Sequence, residues 1–475
     1  MGKLLDALQT RNSHTEKGMV TNSSSLNFCV DLFFKIGAMR GQNNNRLISA
    51  FTKAFAEDKL TAMRLLFWAR DIRGGAGERE IFRVIVNYLA NKHTETLAKN
   101  LWLFSEYGRW DDLLSLIETP LEGEALNYVI GALKDNNGLC AKWCPRPNVG
   151  NSKKKKQAEI LRKYLGLTPK EYRKMLVEKS NTVEQLMCSK KWNEIDYSKL
   201  PSKAISDLMN AFNKNDTERF QSYLNSLKKG ETKINTGAIY PYDIIKNLKC
   251  GNENGADAQW ASLPNYMEGN NERILPMVDV SESMDTPTGK NGRVTCMDVA
   301  ISLGLYISER NEGPFKDAFI TFTSSPTLQY LKGTVSERYR QIYGDVGYNT
   351  NIEKAFTMLL DNAVKANILP EDMPTMIIML SDMEFDCSSV AKWSAQDMIK
   401  AKYVEAGYVM PKLVYWNIQS RNDGNKPVQF DEEGTCLVSG FSPSLLQKLL
   451  SGNDITPYSM MMNVIDSDRY SNIRV

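Results

Sequence analysis

Histidine is nearly missing. The chain has two, His14 and His93, and neither lies in a recognisable motif, so a His-dependent triad or a histidine-rich zinc site has no material to form from. Close cysteine pairs are scarce too: of eight cysteines only Cys140 and Cys144 are neighbours, with no second pair to complete a zinc site. No run of about 18 apolar residues exists, which excludes a transmembrane helix. Residues 1–19 are polar and lack the apolar stretch of a signal peptide. The expectation is a cytoplasmic protein with free thiols and no membrane partner. Charge of one sign is also lacking, with 59 basic against 56 acidic residues and a net of +3. On totals this is neither a polycation that coats nucleic acid nor an acidic tail. A hydrophobic share of 42% excludes disorder as the dominant state. The length of 475 residues suggests two or three domains.

The near-neutral total hides a split. Residues 1–270 carry 40 basic and 30 acidic side chains, and residues 271–475 carry 19 and 26. A basic part is followed by an acidic one, and such asymmetry can point to an anionic partner for the first.

The first 250 residues read as helices. Ile81, Val84, Ile85, Tyr88 and Leu89 recur at helical spacing, as do Leu97, Leu101 and Phe104, and before them Leu60, Met63 and Phe67. Gly74, Gly75, Gly77 and Gly108 punctuate these segments. The pattern fits a helical-repeat solenoid or one irregular helical domain. Residues 141–180 form a basic insertion with 12 Lys/Arg against 3 Asp/Glu. A loop there leads into a basic helix expected around Ala158 to Val177. The cluster Lys153, Lys154, Lys155, Lys156, Arg162 and Lys163 is either a solvated helix face or a phosphate-binding patch.

Residues 251–271 are Asn-, Gly- and Glu-rich without periodicity and read as a linker. After it, short apolar runs alternate with helical segments. Strands are expected at Ile274–Val280, Ala318–Phe322, Met376–Leu380, Lys412–Trp416 and Thr435–Ser439. Helices are expected at Met297–Ser308, Ile352–Ala366, Met398–Ala406 and Pro443–Leu450. This is the grammar of an α/β domain with a mostly parallel sheet, over residues 272–475. Ligands of such sheets sit outside the carboxyl ends of the strands. The first strand ends in Asp279-Val280-Ser281-Glu282-Ser283. One carboxylate and two hydroxyls at alternate positions are hard oxygen donors, suited to Mg²⁺ or Mn²⁺ and poor for zinc.

In this context the chain resembles the von Willebrand factor A family and its metal-ion-dependent adhesion site. The resemblance implies a Rossmann-like domain, and a threonine from a later loop and an aspartate from a further strand as additional ligands. Thr350, in Tyr348-Asn349-Thr350-Asn351, and Asp382, in Leu380-Ser381-Asp382, stand at the matching places. Glu384 and Asp386, close behind, are either a second shell or gate, or ordinary loop carboxylates. No nucleophile elbow, phosphate loop or general base stands near, so the expected chemistry is binding and not turnover.

The helical part carries a second resemblance. Arg70-Asp71-Ile72-Arg73-Gly74-Gly75-Ala76-Gly77-Glu78-Arg79 and Tyr107-Gly108-Arg109-Trp110-Asp111-Asp112 resemble signatures of the Ro autoantigen (TROVE) family. They are also similar to an uncharacterised related family of plants, large viruses and phages. Ala141-Lys142-Trp143-Cys144-Pro145 and Pro201-Ser202-Lys203-Ala204 resemble the latter. The resemblance implies HEAT-like helical repeats over residues 1–250, arranged as a ring that the A domain closes. It also implies binding of structured or misfolded noncoding RNA in a ribonucleoprotein, and a protein partner that donates a carboxylate to the metal. Read from the residues alone, Arg70, Asp71, Arg73, Gly74, Gly75 and Arg79 form a structural knot. In it Asp71, Glu78 and the orphan helix carbonyls are the candidate partners of the arginines, and Gly74 and Gly75 supply positive φ. Trp110 is either core or a base-stacking platform. The expectation is a noncatalytic RNA-binding protein with a metal-dependent docking domain. The alternative is an interaction or assembly scaffold, viral or phage-borne, without nucleic acid.

Overall fold

The computed structural model describes residues 13–475 apart from 181, 230, 233–238, 290–293, 343–346, 348, 391, 423–424 and 453–454. Tyr348 of the expected threonine loop therefore lies outside the described residues.

Up to residue 261 the described chain is helical, apart from a short antiparallel arm of β1 (Ser13–His14) and β2 (Val20–Thr21). The helix Lys59–Arg70 starts where Asp58 accepts from the Thr61 amide. It is buried on nearly every side, from Thr61 to Arg70, so its Leu60–Met63–Phe67 stripe is only part of its contact surface. The helix Arg79–Lys92 buries Ile81, Phe82, Ile85, Val86 and Leu89 and leaves Val84 and Tyr88 half-buried.

Three expectations in this part need correction. Leu97, Leu101 and Phe104 do not share one helix; the segment breaks into Thr94–Ala98, a 3₁₀ turn Leu101–Leu103 and Phe104–Tyr107. Asn100 sits at the break, its side-chain amide donating to the Thr96 carbonyl at 2.8 Å and the Arg474 carbonyl at 2.7 Å. Such local bonding competes with the helix ladder. The basic helix is two helices, Ser152–Tyr164 and Pro169–Ser180, parted by Gly166 at φ 66° and by Pro169, which opens the second. The expected linker holds the helix Glu253–Ala261, which buries Ala256, Ala258 and Trp260. Its Asn- and Gly-rich composition hides a packed face.

The remainder is a six-stranded sheet: β3 (Ile274–Asp279), β4 (Ala318–Phe322), β5 (Thr327–Tyr330), β6 (Met376–Ser381), β7 (Lys412–Asn417) and β8 (Thr435–Ser439). The spatial order is β5-β4-β3-β6-β7-β8, all pairs parallel except the antiparallel edge β4–β5. Met277 of β3 stands opposite Ile320 on one side and Met379 on the other. Counted within the sheet this is the doubly wound order 3-2-1-4-5-6, which reverses direction between β3 and β6 and leaves a crevice there. The central helix Cys296–Arg310 is buried from Cys296 through Ser308. β5 and the helices Val335–Ile342 and Pro457–Ile465 were not expected.

The helical and sheet parts share one hydrophobic core running from Met19 to Ile473, while Ile195, Tyr197, Phe212, Phe220 and their neighbours form a separate cluster. Helix Phe28–Ile36 lies on β8: Ser439 Oγ donates to the Phe33 carbonyl at 2.6 Å, and Asn417 Nδ2 to the Phe34 carbonyl at 3.0 Å. The last residues clasp the helical part. Arg469 pairs with Asp71 (Nη2 to Oδ1, 2.7 Å), Tyr470 donates to the same carboxylate at 3.0 Å, and Tyr107 donates to the Arg469 carbonyl.

These contacts make the arginine–glycine signature a knot in which Arg73 finds an expected helix carbonyl and the other partners differ from those expected. Buried Arg70 pairs with Asp112 at 2.7 Å, and Arg83 takes the other oxygen of Asp112 at 2.7 Å. Asp71 belongs to the clasp, and Glu78 is held by Arg40 at 2.6 Å. Arg73 reaches the Glu106 carbonyl at 3.2 Å and Arg79 pairs with Glu80 at 3.0 Å, both exposed. Positive φ belongs to Gly77 (70°) and not to Gly74 or Gly75. Gly75 is required for another reason: a Cβ there would lie 1.9 Å from the Trp68 carbonyl oxygen.

Candidate metal centre

The crevice at the switch point is built by the ends of β3 and β6. Asp279 is the last residue of β3 and fully buried. Its Oδ1 accepts from the Ser281 amide at 3.0 Å and its Oδ2 from Ser381 Oγ at 2.6 Å. Ser281 Oγ lies 3.0 Å from Ser283 Oγ and accepts from Thr350 Oγ1 at 3.1 Å. Thr350 precedes the helix Ile352–Lys365, which Asn351 caps. Asp382 follows β6, and its negative charge reaches Asp279. Burial first, and then the Asp382 carboxylate, push the Asp279 carboxyl up to about 7. Met383 beside it sits at φ 64°, a costly conformation for this residue, and its amide is held by Ser381 Oγ at 3.0 Å.

All five expected donors, Asp279, Ser281, Ser283, Thr350 and Asp382, thus converge at one place. Two carboxylates and three hydroxyls are a hard donor set that fits Mg²⁺ or Mn²⁺. The mutual repulsion of two buried carboxylates is what a cation would relieve. No group of three His, Cys, Asp or Glu suited to a metal occurs among the described residues.

Two cations of the chain itself stand at this centre. Lys17, from the β1–β2 arm, donates to Thr350 Oγ1 at 2.8 Å and lies 3.6 Å from Asp386. Arg421 pairs with Asp382. The arm is fastened by Thr15 Oγ1 on the Phe385 carbonyl (2.7 Å), Glu16 N on Glu384 (2.7 Å) and Cys387 N on the Lys17 carbonyl (3.1 Å). Glu384 and Asp386 thus hold the arm and the Thr350 loop against the end of β6. Glu384 is buried and also accepts from Asn422 at 2.8 Å and Asn425 at 2.5 Å, and burial raises its carboxyl above the usual range. Asp386 accepts from the Thr350 amide at 3.2 Å. Lys17, Ser381 and Arg421 had no signal in sequence: the first and last lie far from the motif in the chain, and a serine beside an aspartate is common.

The chain matches known proteins at this point. Residues 15–137 and 147–272 match the family model described as "Domain of unknown function (DUF2828)". The chain belongs to that family. Residues 274–471 match a second model, "Domain of unknown function (DUF7788)". A relative described as "Uncharacterized protein L728", of Acanthamoeba polyphaga mimivirus, is 30% identical over 510 residues, covering 96% of this chain and 87% of its own length. The two matched segments abut between residues 272 and 274, where β3 begins.

The basic cluster lies away from the crevice. Lys153 to Lys156 occupy the start of helix Ser152–Tyr164 and are exposed. Lys156 pairs with Glu118, and Arg162 with Glu159, its Nε at 2.7 Å. Lys163 lies 3.7 Å from Glu159. Trp110 is half-buried against the core. No helix among the described residues is long and apolar enough to cross a membrane.

Proposed function

We propose that the protein is a noncatalytic RNA-binding protein of the Ro type. In this reading HEAT-like helical repeats carry the RNA, and a von Willebrand factor A-like domain holds Mg²⁺ or Mn²⁺ and docks a partner's carboxylate. The observation that carries the reading is the convergence of Asp279, Ser281, Ser283, Thr350 and Asp382 at the switch point of a 3-2-1-4-5-6 sheet. When bound, the cation would supply an electrophilic anchor for an anionic group. The chain's own residues do the rest: Ser381 orients Asp279, and the Glu384 and Asp386 loop positions the arm and Thr350. No side chain in this group is arranged as a nucleophile–base pair, which favours binding over turnover.

The RNA half is supported by the placement of Lys153, Lys154 and Lys155. They crowd the first turn of a helix that has no acidic residue there, where the macrodipole disfavours cations by about 0.3–1 kcal/mol each. A phosphate would be attracted by both lysines and dipole. The patch would contact backbone and give affinity without sequence choice.

Gel shift with structured RNA across a salt series tests this. Binding should weaken as salt rises, and Lys153→Ala/Lys154→Ala/Lys155→Ala should flatten the log–log slope by about 2–3. No shift at low salt overturns the RNA half. The second reading, a scaffold without nucleic acid, is favoured by the internal pairing of Lys156, Arg162 and Lys163. It predicts Mg²⁺-dependent capture of a protein partner that Asp279→Ala abolishes, with no RNA retained.

A further inference from the structure

Trp110 and Tyr128 line one open groove of about 550 Å³, within the size range of ligand sites. One wall is a face of the helix Glu122–Lys134, which presents Asn127, Tyr128, Gly131, Ala132 and, at its cap, Asp135 at helical spacing. Asn136 at φ 59° turns the chain back, so the Asn137 amide donates to the Ala132 carbonyl at 2.9 Å and Asn137 joins the lining. Gly131 leaves the floor open: a Cβ there would meet nothing within 4 Å. Trp110 is thus packed against the core on one side and faces the groove on another.

The polar groups of the groove have few partners of their own. Among the described residues the Asn127 amide, the Tyr128 hydroxyl, the Trp110 indole N–H and the Asp135 carboxylate bond to nothing in the chain. Asn137 uses only its oxygen, which accepts from the Cys140 amide at 2.9 Å. Tyr128 is 42% exposed. An ionised carboxylate accepts hydrogen bonds and cannot donate, so a ligand here must donate to Asp135. No cation lines the groove, but two stand at its edge. Lys134 is next to Asp135 in the chain, and Lys179 donates to the Asn136 side-chain oxygen. Neither pairs with a carboxylate among the described residues. Helix Ser152–Tyr164, with its exposed lysines, packs close by, Gln157 donating at 2.7 Å to the carbonyl of Leu114, which follows the Trp110–Leu113 helix.

Aromatic faces, amides and an acceptor, with cations only at the rim, suit a base carried by a phosphodiester strand. Among the RNA bases, guanine alone has two adjacent N–H donors on its pairing edge, and these match the two oxygens of one carboxylate. We propose that this groove binds an unpaired guanine of single-stranded RNA. The base stacks against the Tyr128 and Trp110 rings, its N1–H and 2-amino group donate to Asp135, and Lys134 and Lys179 neutralise the flanking phosphates. The site rests on the RNA half of the proposed function and adds a base preference, which the lysine patch on helix Ser152–Tyr164 does not supply.

Fluorescence anisotropy with the full chain tests it, using a labelled uridine hexaribonucleotide that carries one central guanine, adenine or hypoxanthine. The guanine strand should bind about tenfold or more tighter than the adenine strand. Hypoxanthine, which lacks the 2-amino group, should fall between. Asp135→Asn should abolish the preference. Gly131→Leu, which fills the groove without removing a donor, should lower every strand to the level of the all-uridine one. Lys153→Ala/Lys154→Ala/Lys155→Ala should weaken all strands alike and keep the preference. Asp135 is exposed, and leucine exceeds glycine in helix propensity, so both variants should fold, as an unchanged or raised melting temperature would show. Equal affinity for guanine and adenine strands overturns the proposal. So does a preference that survives Asp135→Asn and Gly131→Leu in folded variants, or GMP binding that the guanine strand does not displace. Salt-dependent binding without base preference sinks this site and leaves the RNA reading standing; no binding of any strand at low salt sinks both.

Discussion

Replacing Lys17 by Met should make the crevice a better divalent-cation site. The Lys17 ammonium donates to Thr350 Oγ1, one of the five converging donors, at 2.8 Å. Methionine keeps most of the stem and removes the charge. A unit charge about 5 Å from a divalent ion is repelled by roughly 6–7 kcal/mol at an effective dielectric near 20. The Lys17 side chain is 29% exposed, and its stem can swing toward solvent, so screening removes most of that. About 1.4–2.8 kcal/mol should remain, a ten- to hundredfold gain in Mn²⁺ affinity. Calorimetric titration of Mn²⁺ reads it directly. Lys365→Met, which removes the same charge at an exposed helix end, serves as control and should change affinity by less than about twofold. Affinity that is unchanged or lowered in Lys17→Met refutes the reasoning, because the ammonium would then be fastening the arm and not competing for the donors.

Further outcomes follow from the knot and the thiols. Arg70→Met leaves Asp112 buried beside Arg83 alone, and should cost about 3 kcal/mol in urea unfolding, the low end for a broken buried pair. Gly75→Ala drives a methyl into the Trp68 carbonyl and should cost about 2 kcal/mol or more. Gly131→Ala, in the helix Glu122–Lys134 with nothing within 4 Å of the added carbon, should stabilise by about 0.5–1 kcal/mol in the same assay. Cys188, Cys250 and Cys387 are exposed, whereas burial pushes Cys29 and Cys296 up to about 12. A thiol reagent at neutral pH should therefore titrate three groups quickly in the folded chain and eight after unfolding.

The parallel strands were legible because each is buried on both faces and reads as a short apolar run, Ile274 to Val278 or Met376 to Leu380. β5, Thr327–Tyr330, is an exposed edge strand whose mixed Thr-Leu-Gln-Tyr gives no such run. Asp279, Ser281 and Ser283 were legible because three donors sit in one loop at alternate positions. Lys17 and Arg421 were not, since nothing local in either segment reports a contact across more than thirty residues of chain. The knot was read in kind, but its partners Asp112 and Arg469 come from elsewhere in the chain. Helical periodicity located the helices and not their breaks, because Asn100 stops its helix by bonding to the clasp.

The clasp has a consequence for how the molecule is made. Helix Phe28–Ile36 rests on β8, and Asp71 is neutralised by Arg469. Segments synthesised early are thus completed by segments synthesised about 400 residues later. A ribosome that has released only the helical part has produced a structure with a bare helix face and an unpaired buried carboxylate. Assembly of the shared core must wait for β8 and for residues 469–473, so a nascent chain is exposed to misassembly until they emerge. A truncation that removes residues 468–475 should accordingly impair the yield of folded protein more than its small size suggests.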